Sequence, residues 1–298
     1  MDLDNLIIAT YCSFDDAEKA VLQEIGIAKL RRKGPQPAMT DAEVMTIEIV
    51  GELIGINQDK RLFLFFRRNY SHFFPALRKI NRITFIRQAF NLWRLKEFIW
   101  QYLLRRIDYD HSLAIVDSLP LPACQFARAN RCMRFFGYAT YGFDVLARQT
   151  FYGFRIHVYL AWPGVITAFS VAPANVHETK AVPELVNETN VTLLGDRNYW
   201  SPELKEELSW YKIDLEAPFR KQTSDPWPER SGAISKLRYR IDTVFGQLTE
   251  RFSIKKVWAR NRWHLFNRLL RKVLGHTLAF MLNQELGNEP LQFELLLP

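Results

Sequence analysis

The chain has 298 residues, of which 48% are hydrophobic and 24% charged, and this composition is typical of a globular protein and excludes a disordered one. No apolar run approaches the roughly 20 residues that cross a bilayer, and the acidic N-terminal segment lacks the features of a secretory signal. The three cysteines, Cys12, Cys124 and Cys132, lack the spacing of a zinc module and make an odd count for a disulfide framework. The length allows one or two domains, and we expect a cytoplasmic protein of two domains without a membrane segment.

Basic residues exceed acidic ones, and their distribution points to a polyanionic partner. The net charge is +8, and the 40 basic residues comprise 26 Arg and 14 Lys. Guanidinium groups pair bidentately with phosphate, whereas a solvated Lys surface needs no partner. Charge alone nevertheless fits a merely basic enzyme as well as it fits nucleic-acid binding. Between positions 236 and 272 the only acids are Asp242 and Glu250. The basic residues there are Lys236, Arg238, Arg240, Arg251, Lys255, Lys256, Arg260, Arg262, Arg268, Arg271 and Lys272. Such a cluster is typical of a nucleic-acid contact.

The first hundred or so residues have a helical pattern. Thr40 to Glu43 has the form of a capping box, follows a breaker run with two prolines, and predicts a helix through Ile54. A second helical region is predicted from Thr84 to Ile107, where aromatic residues recur at helical spacing between arginines. Core packing explains these aromatic residues better than a base-stacking platform does. We expect an all-α domain over residues 1–109.

Beyond Asp110 the hydrophobic period changes to that of strands. Leu113 to Val116 is a short apolar run that ends in Asp117, and Val191 to Leu194 is a second run that leads to Asp196. The alternation from Phe154 to Val171, interrupted by Trp162-Pro163-Gly164, predicts a hairpin. Two acids are therefore expected at strand ends.

The remaining elements complete an α/β pattern. Short helices are predicted from His177 to Asn187 and from Ser201 to Trp210, followed by a strand from Lys212 to Ala217. After a proline-rich loop over residues 218–230, apolar positions at helical spacing predict a long amphipathic helix through Phe252, and a last helix spans 265–286. This element order is that of a ribonuclease H-like domain, a similarity of topology alone.

Strand-end acids in this order favour metal-dependent phosphodiester chemistry. Two divalent ions can stabilise the attacking and leaving oxygens of a phosphodiester, and carboxylates from different elements are their usual protein ligands. Taken alone, Asp117 or Asp196 is more simply a turn-forming residue. Their joint occurrence in this topology favours a metal site.

Several strings resemble one family of proteins. They are Ile115-Val116-Asp117-Ser118-Leu119-Pro120, Phe151-Tyr152-Gly153-Phe154-Arg155-Ile156-His157, Leu194-Gly195-Asp196-Arg197-Asn198-Tyr199, Ile241-Asp242-Thr243-Val244-Phe245-Gly246-Gln247-Leu248, Thr40-Asp41-Ala42-Glu43-Val44-Met45-Thr46 and Ile80-Asn81-Arg82-Ile83. Their order and spacing resemble the DDE transposases of bacterial insertion sequences, above all the insertion-sequence family called nine-eighty-two.

The resemblance implies a fold, a reaction and partners. It implies a ribonuclease H-like catalytic domain over residues 110–298, preceded by the helical domain, which recognises the DNA ends and dimerises. It implies two Mg²⁺ or Mn²⁺ ions held by the catalytic residues Asp117, Asp196 and Asp242. The reaction is cleavage and strand transfer at terminal inverted repeats. The partners are double-stranded DNA and a second copy of the chain, in the bacterial cytoplasm at the nucleoid.

The chain departs from the family pattern at two positions. The third acid of the family is Glu, whereas Asp242 matches that position, and Asn198 replaces a common glycine that Asn can mimic at positive φ. Arg238 precedes Asp242 by four residues, as in the family, although an ordinary ion pair along one helix explains the same spacing. Glu250 is the nearest rival acid, about 12 Å further along the helix.

Ten basic residues are predicted to contact DNA. They are Arg128, Arg131, Arg134, Arg155, Arg197, Arg238, Arg240, Arg251, Lys255 and Lys256. The segment 127–148 interleaves arginines with aromatic residues, so a DNA contact and a solvated loop are equally compatible with it. His157 is as compatible with a phosphate or backbone contact as with a catalytic role, and His177 fits the start of a helix better than a metal ligand. Tyr199 and Trp200 fit core packing better than base stacking.

Two other functions fit the same residues. One is a two-metal nuclease or resolvase on the same scaffold, which hydrolyses DNA without joining it. The other is a DNA-binding protein derived from a transposase whose acid triad has decayed, and the Asp at position 242 is the feature that favours it.

Overall fold

A computed structural model describes residues 1–28, 30–31, 34–186, 188–219 and 224–296. The chain divides into two compact units. The first comprises Met1–Ile107, Glu250–Ser253 and Phe266–Pro298, and the second comprises Asp108–Thr249 and Ile254–Leu265. The C-terminal segment, which we expected to belong to the catalytic domain, therefore packs with the N-terminal helices. Local sequence patterns do not predict this packing, because the packing depends on contacts between residues that are distant in sequence.

The first unit is helical in its described residues. Its helices are α1 (Leu3–Glu24), α2 (Asp41–Leu53), α3 (Asp59–Asn69), α4 (Arg82–Asn91), α5 (Trp93–Leu104) and most of α9 (Arg262–Glu285). The predicted capping box of α2 is confirmed: Glu43 N donates to Thr40 Oγ1 at 3.1 Å, and Thr40 N donates to Glu43 Oε2 at 2.7 Å. The helical region predicted from Thr84 to Ile107 consists of two helices, α4 and α5, which are separated at the fully buried Leu92.

A network of buried charges joins α2 to α5 and α9 inside this unit. Arg271 donates to Glu52 at 2.5 Å and to Glu48 at 3.3 Å, and Lys272 donates to the other Glu52 oxygen at 2.7 Å. Lys96 forms an ion pair with Glu48. All five side chains are almost completely buried. Because removal of one partner strands the opposite charge in a medium of low dielectric constant, such networks are sensitive to single truncations.

We predict that Glu52→Ala lowers the free energy of unfolding by about 3 to 5 kcal/mol, since it leaves Arg271 and Lys272 without their main carboxylate. Urea denaturation of the full chain measures this loss. Glu24→Ala is the matched control, because Glu24 pairs with Arg105 at 2.8 Å on the surface and exposed pairs contribute less than about 1 kcal/mol. Equal losses in the two variants would contradict the prediction.

The second unit contains a mixed sheet of six strands within its described residues. The strands are β1 (Asp110–Pro122), β2 (Thr140–Asp144), β3 (Gln149–Trp162), β4 (Val165–Pro173), β5 (Val191–Leu194) and β6 (Ile213–Glu216). They are ordered β2-β3-β1-β5-β6, and β4 also pairs with β3. The pairs among β1, β2, β3 and β4 are antiparallel, whereas β1 with β5 and β5 with β6 are parallel. The class is therefore mixed α/β, as predicted.

The structure differs from the sequence prediction in two strands. β1 continues through Asp117 to Pro122, because its second half still pairs with β3 after its pairing with β5 has ended. β2 lies within the segment that was compatible with a solvated loop or a DNA contact, and it forms because its backbone pairs with residues 149–153 of β3. Neither pairing follows from local hydrophobic periodicity.

Helices cover the sheet and complete its core. They are α6 (Val182–Leu185), α7 (Pro202–Ser209) and α8 (Pro228–Glu250). Ser201 caps α7 as predicted, and Ile241 and Val244 are among the buried residues of the amphipathic α8. The helix predicted from residues 177 to 187 is a 3-10 turn followed by the short α6; Asn187 itself, like residues 220–223 of the predicted loop, lies outside the described residues.

One apolar cluster holds the site's elements together. It joins residues of β1, β3, β5 and β6 to α6 and α7. Its fully buried members are Ala114, Tyr159, Val182, Leu193, Tyr199 and Leu208, together with Val116 beside Asp117. No helix among the described residues is both long and apolar enough to cross a membrane.

Candidate active site

Parallel pairing of two strands brings Asp117 and Asp196 to the same end of the sheet. Ile115 of β1 is the register partner of Leu194 of β5, and this is the last pair between the two strands. Each aspartate lies two residues beyond that pair, so the two carboxylates follow neighbouring strands at the same height. Neighbouring strands are about 4.8 Å apart. The predicted juxtaposition of the two acids is therefore present.

Asp117 is held by two donors and is largely withdrawn from water. Ser118 N donates to its Oδ1 at 2.7 Å, and Arg238 Nη2 of α8 donates to its Oδ2 at 2.8 Å. Burial raises the pKa of Asp117 to about 7, and the negative charges of Asp196 and Glu178 add to this rise, while Arg238 and the Ser118 N–H oppose it. Burial therefore disfavours the charged form of Asp117 in spite of its contact with a guanidinium group.

Asp196 caps the 3-10 turn that follows β5. Asn198 N donates to its Oδ1 at 2.8 Å, and Asn198 Nδ2 donates to its Oδ2 at 3.1 Å. Burial raises the pKa of Asp196, and the charge of Glu178 raises it further. Asn198, which replaces a common glycine, does not adopt a positive φ. Its side chain is instead used to orient the carboxylate.

Glu178 is an acid of the site that the sequence interpretation missed. It lies in the 3-10 turn after β4, where Ser118 Oγ donates to its Oε1 at 2.6 Å and Arg155 Nη1 lies 3.5 Å from the same oxygen. Its position in the turn that follows β4 is the signal that could have identified it. His177 begins this turn, as predicted.

Two buried polar side chains adjoin the acids without hydrogen-bond partners among the described residues. The hydroxyl of the fully buried Tyr199 has none, and burial followed by the charges of Asp117, Glu178 and Asp196 raises its pKa well above the usual value. Both ring nitrogens of the fully buried His157 also lack partners, and burial lowers its pKa to about 4. The interpretation of His157 as a phosphate or backbone contact is therefore wrong.

Asp242 lies one helical turn after Arg238 on α8, but the structure does not bring its carboxylate to the other acids. Its side chain is exposed, and it forms no hydrogen bond or ion pair with the part of the chain that the structure describes. Arg238 pairs with Asp117 and not with Asp242. The alternative of a simple ion pair along α8 is therefore wrong.

Five of the predicted DNA contacts line one cavity of the second unit. Arg128, Arg131 and Arg134 lie on one side of it, and Lys255 and Lys256 on the other, around a volume of about 1000 Å³. Phe126 and Trp258, both more than half exposed, also line it. Lys255 pairs with Asp144 at 3.7 Å, so the four exposed cations of the lining are the three arginines and Lys256. A cavity with this lining can accept phosphate groups and the faces of bases.

The other predicted DNA contacts interact with groups of the protein itself or lie outside this cavity. Arg155 donates to Phe143 O at 2.6 Å as well as to the Glu178 cluster, and Arg240 lies over the Trp162 ring at 5.2 Å. Arg251, in the first unit, is 3.5 Å from Glu294. Arg197 is exposed beside Asp196. Tyr199 packs in the core as predicted, and the half-buried Trp200 contacts Phe219 edge to face at 5.3 Å between ring centres.

Comparison with known proteins assigns a family to this arrangement. A family described as "Transposase DDE domain" matches residues 109–262, which is just over half of the chain and includes both strand-end aspartates. The chain belongs to the DDE transposases. No curated protein matches the chain, and no solved structure does. The insertion-sequence family nine-eighty-two is a finer assignment than this match supports.

DDE transposase domains generally use a divalent metal, and the acids of this chain supply donor atoms of the type that such a metal prefers. Three carboxylates, Asp117, Asp196 and Glu178, face two guanidinium groups, those of Arg238 and Arg155. The unbalanced negative charge and the oxygen-only donors suit Mg²⁺ or Mn²⁺. Within the described residues, no three acids, histidines or cysteines are grouped tightly enough to hold an ion as they stand.

We predict that Gly195→Ala lowers the free energy of unfolding by about 1 to 3 kcal/mol. A Cβ at this glycine would lie 2.6 Å from Tyr199 Cβ, so either the turn that carries Asp196 or the Tyr199 side chain must move. Urea denaturation measures the change. Gly246→Ala is the control: no atom lies within 4 Å of its Cβ position on α8, and alanine favours a helix by up to about 1 kcal/mol. A Gly195→Ala variant as stable as wild type would refute this account of the turn.

Proposed function

We propose that this DDE transposase cleaves DNA at the terminal inverted repeats of an insertion sequence and joins the ends to target DNA, using two Mg²⁺ or Mn²⁺ ions. The observation that carries the proposal is the register of β1 and β5, which aligns Asp117 with Asp196 in a chain of this family. A ribonuclease H-like fold is part of the proposal. The antiparallel β1, β3 and β4 beside the parallel β5 and β6 support it.

Asp117 and Asp196 are proposed to hold the metal from the sheet, and Asp242 from α8. Such ions activate the attacking oxygen and stabilise the leaving one. The chain's own residues orient the carboxylates: Ser118 and Asn198 direct Asp117 and Asp196 through their backbone N–H groups. Asp242 occupies the position where the resembling transposases have Glu, one turn from the Arg238 that contacts Asp117. The proposed role of Asp242 requires a movement of α8 that brings its exposed carboxylate to the metal.

We predict that Asp117→Asn and Asp196→Asn each abolish metal-dependent cleavage, and that Asp242→Asn does the same. DNA binding should persist, because the carboxylates serve chemistry and the basic surface serves affinity. The assay uses the full chain and a plasmid carrying the segments that flank its reading frame. Asp214→Asn is the control, since Asp214 is exposed on β6 and pairs only with Lys205 among the described residues. Full cleavage by the Asp117 or Asp196 variant would exclude the proposed site, and full cleavage by the Asp242 variant would exclude Asp242 alone.

DNA is proposed to lie along the cavity lined by Arg128, Arg131, Arg134 and Lys256. Affinity for duplex DNA comes mainly from phosphate contacts, which release counterions and so depend on salt. The exposed aromatic residues Phe126 and Trp258 offer surfaces for bases of a frayed end. The helical first unit is proposed to recognise the element ends and to dimerise, at the bacterial nucleoid.

We predict that Arg128→Gln/Arg131→Gln weakens binding to a short duplex of mixed sequence and lowers the slope of log affinity against log salt by about 1 to 2. Fluorescence anisotropy over a range of salt concentrations measures both quantities. The control is Lys205→Gln/Lys212→Gln, which removes the same charge from exposed positions of the second unit outside this cavity. Indistinguishable curves for the two double variants would show that only net charge matters.

The exposed Asp242 favours one second candidate, a DNA-binding protein without catalysis. Metal-dependent cutting by the wild-type chain would exclude it. A nuclease on the same scaffold is separated from a transposase by the products, because only a transposase joins a 3′-hydroxyl end to a new strand.

A further inference from the structure

Glu178 is held beside the strand-end aspartates by a residue that also contacts one of them. Ser118 donates its backbone N–H to Asp117 at 2.7 Å and its side-chain hydroxyl to Glu178 at 2.6 Å. A single residue of β1 thereby ties the two carboxylates together. The negative charge of Glu178 also raises the pKa of both Asp117 and Asp196, so all three groups interact.

The contacts of Glu178 leave part of its carboxylate available. Ser118 Oγ and Arg155 Nη1 both donate to Oε1 of Glu178, and no hydrogen bond within the described residues reaches its Oε2. Arg155 is itself shared, because it also donates to Ser118 Oγ at 3.2 Å and to Phe143 O at 2.6 Å. A carboxylate in this situation is oriented by the protein and keeps one oxygen for a ligand.

Tyr199 provides an independent indication of a ligand at the same place. Its side chain is fully buried, its hydroxyl has no hydrogen-bond partner among the described residues, and it lies within electrostatic reach of Asp117, Asp196 and Glu178. Buried hydroxyls normally have a partner. A hydrated cation held by the three carboxylates supplies water oxygens that can accept a hydrogen bond from this hydroxyl. Without a cation, the acid cluster leaves the hydroxyl unpaired, as it is among the described residues.

We propose that Glu178 is a further carboxylate of the metal site, beside Asp117 and Asp196, and that Ser118 is the residue that positions it. This inference rests on the proposed function. It is separate from the role of Asp242, since Glu178 lies after β4 on the sheet whereas Asp242 is exposed on α8. The ligand is a divalent cation that prefers oxygen, such as Mg²⁺ or Mn²⁺.

The experiment measures Mn²⁺ binding to the full chain by titration calorimetry at neutral pH, without DNA. Glu178→Gln keeps the size of the side chain and can still accept from Ser118, so we expect it to fold and to weaken Mn²⁺ binding by about tenfold or more. Glu184→Gln is the matched control, because Glu184 is an exposed glutamate on the neighbouring α6. It should bind Mn²⁺ as wild type does.

A merely structural role of Glu178 predicts a different result. In that case Glu178→Gln lowers the melting temperature in EDTA and leaves the Mn²⁺ affinity unchanged, and this outcome would overturn the proposal. Ser118→Ala is the second variant. It removes the hydroxyl that orients Glu178 and keeps every carboxylate, so we expect a loss of several-fold in affinity. If Glu178→Gln fails to fold, unchanged affinity in Ser118→Ala overturns the proposal instead.

Failure of this inference is distinguishable from failure of the proposed function. Wild-type cleavage in Mn²⁺, lost in Asp117→Asn, tests the proposed function and does not involve Glu178. If that result is obtained while Glu178→Gln binds Mn²⁺ normally, only the role of Glu178 is wrong. If the wild-type chain neither binds Mn²⁺ nor cleaves DNA, both are wrong.

Discussion

The parallel register of β1 and β5 determines where the chemistry of this chain can take place. The strands share three register pairs, which end at Ile115 and Leu194, and the aspartates follow two residues later on each side. Because successive side chains on a strand point to opposite faces, a slip of one residue would turn one carboxylate away from the other. The positions of Arg238, Ser118 and the proposed metal all depend on this register.

The two units treat buried charge in different ways. In the first unit, the acids Glu48, Glu52 and Asp59 face three buried cations, which are Lys96, Arg271 and Lys272, so the desolvated charges are compensated by direct contacts. At the strand ends of the second unit the carboxylates outnumber the guanidinium groups, and the pKa of Asp117 rises to about 7. Buried charges that pair with opposite charges are compatible with a stable fold. An excess of buried carboxylates raises the free energy of the folded protein unless a cation binds, and this is the physical reason for regarding the cluster as a functional site.

The basic residues also divide into two groups that composition cannot separate. Arg155 and Arg238 neutralise acids of the site, and Arg240 packs over Trp162. Others, such as Arg128 and Arg131, remain exposed around one cavity. The net charge of +8 therefore does not show which cations are free to meet DNA. Salt-dependent binding depends on the exposed group alone.

Much of the fold follows from local pattern. The capping box of α2, the amphipathic face of α8 and the apolar runs of β1 and β5 could all be predicted from the sequence, because each depends on neighbours within a few residues. The same runs pointed to Asp117 and Asp196, of which Asp196 follows its strand, whereas Asp117 lies within β1 just beyond the end of its pairing with β5. The order of short motifs indicated the DDE transposases, to which the chain belongs. These features are local in origin, so one sequence was enough.

The tertiary structure decided what depends on contacts between distant residues. It placed Glu178 beside Asp117 through Ser118, 60 residues away in sequence, and paired Arg238 with Asp117 rather than with Asp242. It also added β2 to the sheet and returned residues 266–298 to the helical unit. Sequence alone identified the acids of two strands, but which other charges meet them is determined by packing between elements, because electrostatic partners are selected by distance in space and by burial.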